Sequence, residues 1–122
     1  MAGSNAELAR RVFKVLSDGD ARAFVALVDP EIEIHTSRGV GRGKEVAEAW
    51  ALKSYDHLER RFAVDELEVD GDEVRALVRT QYVWRDDGEL ANEEPTTVDL
   101  RFRDGKLVRW TFREDRAAER HR

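Results

Sequence analysis

Residues 59–71 read Glu59-Arg60-Arg61-Phe62-Ala63-Val64-Asp65-Glu66-Leu67-Glu68-Val69-Asp70-Gly71, and their apolar positions change parity halfway. Phe62 and Val64 are even; Leu67 and Val69 are odd. Side chains of an extended strand alternate between two faces, so one regular strand cannot bury both sets. The stretch therefore predicts a β-bulge near Asp65–Glu66, where an extra residue restores register and bends the strand. A long bent sheet closing over helices makes a cone with an open end, and such an end is where pockets form.

On the C-terminal side of this stretch the pattern stays β. Asp70-Gly71, Asp87-Gly88 and Asp104-Gly105 are hairpin-turn signals. They divide the remainder into four strands, near 59–69, 73–85, 95–103 and 106–113. In 73–85 the set Val74, Ala76, Val78, Thr80, Tyr82 and Trp84 shares one face, opposite Arg75, Arg79, Gln81 and Arg85. Val98, Leu100 and Phe102 oppose Asp99, Arg101 and Arg103; Val108, Trp110 and Phe112 oppose Arg109, Thr111 and Arg113. One sheet face is thus apolar and aromatic and the other charged.

On the N-terminal side the period becomes helical. Ser4-Asn5-Ala6-Glu7 has the spacing of a capping box, and Leu8, Val12, Val15 and Leu16 recur on one face. Residues 5–17 form an amphipathic helix that Gly19 ends. Asp20 caps a second helix through Phe24, Leu27 and Val28, terminated by Pro30. Residues 31–36 alternate as a short strand carrying Ile32 and Ile34. A flexible Gly39–Gly43 segment follows, then a third helix from Lys44 to Tyr55. The fold class is α+β: three N-terminal helices packed on a strongly curved antiparallel sheet, a cone-shaped barrel with a central pocket. Residues 1–122 form a single domain, with about 116–122 a frayed tail.

Bulk composition narrows the function. Charged residues make up 39% of the chain with a net charge of −5, and the two signs are interspersed, which argues against nucleic acid as a partner. No cysteine is present, so disulfides, thiolate nucleophiles and cysteine-held metals are excluded. No run reaches the roughly 20 apolar residues of a membrane span, and no signal peptide opens the chain, so the expected location is cytoplasmic. Arginine outnumbers lysine by 17 to 4, a bias that coding composition explains as well as anion contacts do.

Taken in order, helix–helix–strand–helix–four strands resembles the SnoaL-like branch of the nuclear-transport-factor-like superfamily. That cone fold is shared by ketosteroid isomerases, polyketide cyclases and limonene-epoxide hydrolases. The resemblance rests on Ser17-Asp18-Gly19-Asp20, Ala26-Leu27-Val28-Asp29-Pro30, Gly41-Arg42-Gly43-Lys44-Glu45, Val69-Asp70-Gly71-Asp72 and Phe102-Arg103-Asp104-Gly105-Lys106-Leu107-Val108-Arg109-Trp110. It implies a small-molecule pocket and a homodimer joined through the outer, charged sheet face. The catalytic groups of the isomerases do not carry over, because the matching positions hold Val12, Thr36 and Val98. Asp99-x-Arg101 echoes the epoxide-hydrolase device but falls on the charged face.

The candidate acid–base groups are then His57, Tyr82 and Asp65, the last at the bulge. His57 stands at a helix-to-strand corner, and Tyr82 has inward parity as core or pocket wall. His35 alternates with Glu31 and Glu33, which places it on the outer face. Thr36, Trp50, Tyr55, Thr80, Trp84 and Trp110 are the candidate ligand-binding residues. The tryptophans could box a flat ligand, though core packing competes for them. Gly39–Gly43 is not a phosphate loop, since Glu45 replaces the required Ser or Thr and Arg38 stands where glycine is needed; it reads as a mobile rim. No metal spacing is present and no cofactor is expected. The function expected is binding of a small, largely apolar ligand, with isomerase, cyclase or dehydratase chemistry, or else a non-catalytic binding or dimerisation module.

Overall fold

The computed structural model describes residues 4–36, 39–52 and 57–114. Helix α1 spans Asn5–Ser17 and α2 spans Ala21–Ala26. Strands β1 (Val28–Thr36) and β2 (Gly39–Arg42) precede α3 (Lys44–Ala51). Strands β3 (Leu58–Asp70), β4 (Glu73–Trp84), β5 (Leu90–Arg103) and β6 (Lys106–Glu114) complete the order.

The helix starts follow their capping chemistry. The Ser4 hydroxyl accepts the Glu7 amide at 3.2 Å, and the Asp20 carboxylate accepts the Ala23 amide at 3.0 Å, satisfying amide groups that the first helical turn leaves open. Each helix then buries one stripe. Ala9, Val12, Phe13 and Leu16 of α1, Phe24 of α2, and Ala47 and Ala51 of α3 all pack onto the same side of the sheet.

The sheet has six strands in the order β2-β1-β6-β5-β4-β3. Every pair is antiparallel except β1–β6, which is parallel. Strands β2 and β3 are its two edges, so the sheet is open rather than a closed barrel. The β1–β2 hairpin lies between α2 and α3, where the sequence places a strand. The open edges and the parallel β1–β6 pair are corrections to the expected antiparallel cone-shaped barrel.

The bulge in β3 is where the parity break requires it. Val64 pairs with Val78 and Glu66 with Leu77, which leaves Asp65 as the extra residue. Two further bulges carry no parity signal as plain as this one. Ala91 is extra where Tyr82 faces Asn92 but Val83 faces Leu90, and Val108 is extra where Arg101 faces Arg109 but Phe102 faces Leu107. As a result Leu107, not Val108, enters the core and is fully buried.

Other boundaries move for local reasons. Strand β1 begins at Val28, three residues before the expected start, and contains Pro30. Proline has no amide to give to β6, and the β1–β6 register jumps between Val28 and Glu33 around it. Gly39–Arg42 is an edge strand, with Thr36 paired to Gly39 and Glu33 to Arg42, and its Gly39, Val40 and Gly41 line a cavity. Gly41 permits this packing: a Cβ there would lie 2.5 Å from Val46 Cγ1, so any larger residue would force the Val46 side chain to shift. The expected end of the third helix at Tyr55 and the tail from 116 lie outside the described residues.

The core joins both layers. Ile32 and Ile34 from β1, Val74, Ala76 and Val78 from β4, and Val98, Leu100 and Phe102 from β5 are buried beneath the helices. Thr80 and Thr96 are buried too, and their hydroxyls hydrogen-bond each other at 2.9 Å. That pairing satisfies both polar groups away from water.

Candidate functional site

Strand β3 enters the sheet beside the ends of two helices. The Phe62 amide donates to the Ser17 hydroxyl at 2.9 Å, which pins the end of α1 to the strand. Phe62 faces the helices, and Arg60, two residues earlier, shares its parity and therefore its face. The Arg60 guanidinium lies 4.3 Å from the ring centre of Trp50 and 5.3 Å from that of Phe62. It also donates to the Trp50 carbonyl at 3.4 Å, near the end of α3. A cation over an aromatic face is attracted by the ring quadrupole, and the helix C-terminal carbonyls add to that attraction.

A cavity of about 250 Å³ opens at this corner. The end of α1 from Leu16 to Gly19 forms one wall, and Ala51 and Leu52 of α3 another. Leu58, Glu59 and Arg60 of β3 and Arg85 beyond β4 close it. Both of its carboxylates are tied to cations outside the lining: Asp18 to Lys14 and Glu59 to Arg61, each at 3.0 Å. Arg85 donates through Nε to the Leu58 carbonyl at 3.3 Å.

Behind Arg60 the space between the layers is filled by rings. Trp110 is fully buried, with its ring centre 4.9 Å from Trp50, 5.5 Å from Phe13 and 6.3 Å from Phe112. Its indole Nε1 is buried with no hydrogen-bond partner among the described residues. On the far side of Trp50 a second, more open cavity of about 250 Å³ is lined by Ile34, Thr36, Val46 and Trp50.

The candidate residues separate into groups on this frame. Thr36 and Trp50 meet in the second cavity, and Trp50 also carries Arg60 at the first. Thr80 is held by Thr96 in the core, and Trp110 is a core residue at the centre of the aromatic cluster. Trp84 stands 45% exposed at the end of β4, where the inward face it was expected to share has run past the helices. Tyr55 lies outside the described residues.

Among the acid–base candidates, only Tyr82 is on the inner face. It is half-buried and directly opposite Arg60 across β3 and β4. His57 is exposed at the turn before β3, with a backbone φ of 61°. Asp65 is not turned inward: its carboxylate is 2.9 Å from Arg79 on the outer face and raises the pKa of that guanidinium. His35 lies with Glu33 at 2.9 Å, and Arg42 approaches the same carboxylate at 2.7 Å. Those two hydrogen bonds, His35 first, hold the Glu33 carboxyl below its ordinary pKa. Among the described residues no cluster of three or more His, Asp or Glu could hold a metal.

The alternation that places Phe62 and Val64 inward also covers Arg60. The residue escapes notice because a charge is normally assigned to the solvent face.

Comparison with known proteins agrees with this architecture. The family model described as a SnoaL-like domain matches residues 9–110. No curated protein matches the chain. A proposed SnoaL-like polyketide cyclase from Jannaschia sp. superposes with a TM-score of 0.76 at 18% identity, covering 98% of this chain and 94% of that one. A proposed polyketide cyclase from Pseudomonas putida gives 0.72 at 24% identity, covering 93% of each. A hypothetical protein with a ketosteroid isomerase-like fold from Catenulispora acidiphila, in complex with trimethylamine, gives 0.74 at 13% identity, with 87% and 83% covered. At these identities the likeness is one of fold. Among the described residues no helix is long and apolar enough to cross a membrane.

Proposed function

The chain belongs to the SnoaL-like domain family, and from that premise we propose that it is a small-molecule-binding domain. Its site is the cavity between the ends of α1 and α3 and the start of β3. The observation that carries this reading is the guanidinium of Arg60 over the Trp50 ring at the wall of a cavity that Leu16, Ala51, Leu52 and Leu58 line together with Ser17, Asp18, Glu59 and Arg85. Polar groups converging beside apolar walls in a concave site are the usual make-up of a ligand site. At about 250 Å³ it is smaller than the roughly 300–1,000 Å³ of sites for drug-sized ligands, so the ligand is small. The trimethylamine held by the Catenulispora protein is a ligand of that small class.

Native mass spectrometry of protein purified from its own source is the direct test. We expect a retained small molecule that leaves on mild activation. Absence of any retained mass, together with no thermal stabilisation by benzene-sized probes, would overturn the reading.

A second reading, acid–base catalysis of the isomerase, cyclase or dehydratase type, is favoured by one observation. Tyr82 and Arg60 are directly opposed on the inner face, and together they are two donors for a developing enolate oxygen. The base such chemistry needs is the weak point, since Asp18 and Glu59 are engaged by Lys14 and Arg61. Binding is therefore the better supported function.

We propose in addition that the outer sheet face joins two copies. It carries alternating charges, with Arg75 3.0 Å from Asp99 and Arg101 and Arg109 each 3.5 Å from Glu73. Val83 is buried on that side, apart from the main core. Sedimentation equilibrium is expected to give twice the 14.0 kDa chain mass; a monomer at all concentrations would contradict it.

A further inference from the structure

We infer that Glu94 anchors a second ligand position, on the inner face of β4 and β5, that takes a small organic ammonium ion. The position is separate from the cavity at the α1–α3 corner, which Glu94 does not line. Among the described residues, the carboxylates partly removed from water are Asp29, Glu33, Glu93, Glu94 and Asp99. A guanidinium lies against each of the others: Arg103 is 3.9 Å from Asp29, Arg42 2.7 Å from Glu33, Arg79 3.2 Å from Glu93 and Arg75 3.0 Å from Asp99. Glu94 has no cation partner among the described residues, and its carboxylate accepts only the Asn92 side-chain amide, at 3.2 Å. Taking a carboxylate out of water costs free energy that a paired cation offsets.

Register places Glu94 on the inner face. It stands directly opposite buried Thr80 of β4 and shares parity with buried Thr96, Val98 and Leu100, with no break in the β4–β5 ladder between them. The Thr96 hydroxyl donates to the Glu94 carbonyl at 3.3 Å and pairs with the Thr80 hydroxyl at 2.9 Å. The backbone under Glu94 is thereby tied into the core. Asn92, two residues earlier on the same face, holds Oε2 and leaves Oε1 for a ligand. Tyr82 is half-buried and directly opposite Asn92, which makes it a diagonal neighbour of Glu94. Such neighbours are about 7–8 Å apart, within reach of an aromatic side chain.

The chemistry of these groups selects the ligand. An ionised carboxylate only accepts hydrogen bonds, and a donor that carries positive charge makes the stronger bond. A phenol ring beside it attracts a cation over its face, so an ammonium with an apolar substituent uses both groups. A hard metal ion takes six or more oxygen ligands, and among the described residues no group of three His, Asp or Glu could hold one. Arg60 does not neutralise the position. It pairs with Tyr82 from the other side, two strand spacings or about 10 Å from Asn92, and its guanidinium lies over Trp50 of α3.

The test compares two probes of one shape, benzylamine and benzyl alcohol, by calorimetric titration at neutral pH. Benzylamine is expected to bind about tenfold or more tightly than benzyl alcohol, the increment of a charge-assisted hydrogen-bonded pair. Glu94→Gln, which keeps the shape and removes the charge, should weaken benzylamine about tenfold and leave benzyl alcohol within about twofold. Tyr82→Leu, which removes the ring, should weaken benzylamine about threefold. Near-UV circular dichroism reports whether the variants keep their packing. Should Glu94→Gln lose it, Glu94→Asp, which keeps the charge on a shorter arm, is expected to weaken benzylamine about threefold and serves in its place. Benzyl alcohol binding as tightly as benzylamine overturns the inference, because charge then selects nothing. Benzylamine affinity unmoved in the folded Glu94 variant also overturns it, by placing the cation elsewhere. Failure of both probes to bind overturns it as well, and the cavity at the α1–α3 corner keeps its own test.

Discussion

Replacing Trp110 by alanine is expected to cost about 3–5 kcal/mol, the range for truncating a fully buried large aromatic. Trp110 has no exposed surface and meets Phe13 of α1, Trp50 of α3 and Phe62 of β3. It is the one ring in this cluster that touches two helices and a neighbouring part of the sheet at once, so its loss unties the layers. Domains of this size are stable by only about 5–15 kcal/mol, and the variant should lie near the edge of folding. Its buried indole N–H, without a partner among the described residues, carries a cost of its own. Trp110→Phe, which keeps a ring and removes that group, should therefore lose far less than Trp110→Ala. Urea denaturation of the two variants measures the difference. A Trp110→Ala loss below about 1 kcal/mol would show that the cluster does not organise the fold.

The second large effect belongs to Trp50. Its ring lies within 6.2 Å of the centres of Phe24, Trp110 and Phe112 and beneath the Arg60 guanidinium. Trp50→Ala is expected to cost about 3 kcal/mol, the lower end of the range for such truncations because the ring is only half-buried. Its effect on binding should be more distinctive. The residue lines the second cavity of about 250 Å³ and lies beneath Arg60, which lines the first, so its removal is expected to enlarge the second cavity toward Arg60. Affinity for a benzene-sized probe should fall by about tenfold with loss of the ring on which Arg60 lies. A larger two-ring probe such as naphthalene should gain relative to the smaller one. Calorimetric titration of both probes against Trp50→Ala and native protein checks this crossover. A parallel loss for both probes would mean that removing the ring opens no usable space.

How far the fold could be read from sequence depended on whether a register change left a mark. In β3 the bulge shows because Phe62 and Val64 disagree in parity with Leu67, and Asp65 is indeed the residue left over. At Val108 the same event is silent: Leu107 and Val108 are both aliphatic, so either could fill the inward position. Strand β2 was equally hidden. Three glycines in five residues suggest mobility, whereas Gly41 is small so that Val46 can approach the strand. The parallel β1–β6 pair is a tertiary choice that no local pattern encodes.

The site was legible in part. Trp50 and Thr36 were both candidates and do line one cavity. Trp84 and Asp65 were assigned by parity and by the bulge, yet a strand's inward face is buried only where helices cover it. At the end of β4 no described helix does, and at the bulge Arg79 draws the carboxylate outward. Arg60 was in plain view, two residues before Phe62. Placing it on the inner face requires accepting a cation there, and the Trp50 ring and carbonyl that make that acceptable come from a helix ten residues away.

The proposal that the Arg60 corner binds small molecules is tested most directly by a crystal structure of the protein grown with 4-bromobenzoate, in which the bromine is located by its anomalous scattering. The expected result is a bromine inside the cavity between α1, α3 and β3, with the ring against Ala51 and Leu52. A bromine found solely on the outer sheet face, or a cavity filled by the protein's own side chains, would contradict it.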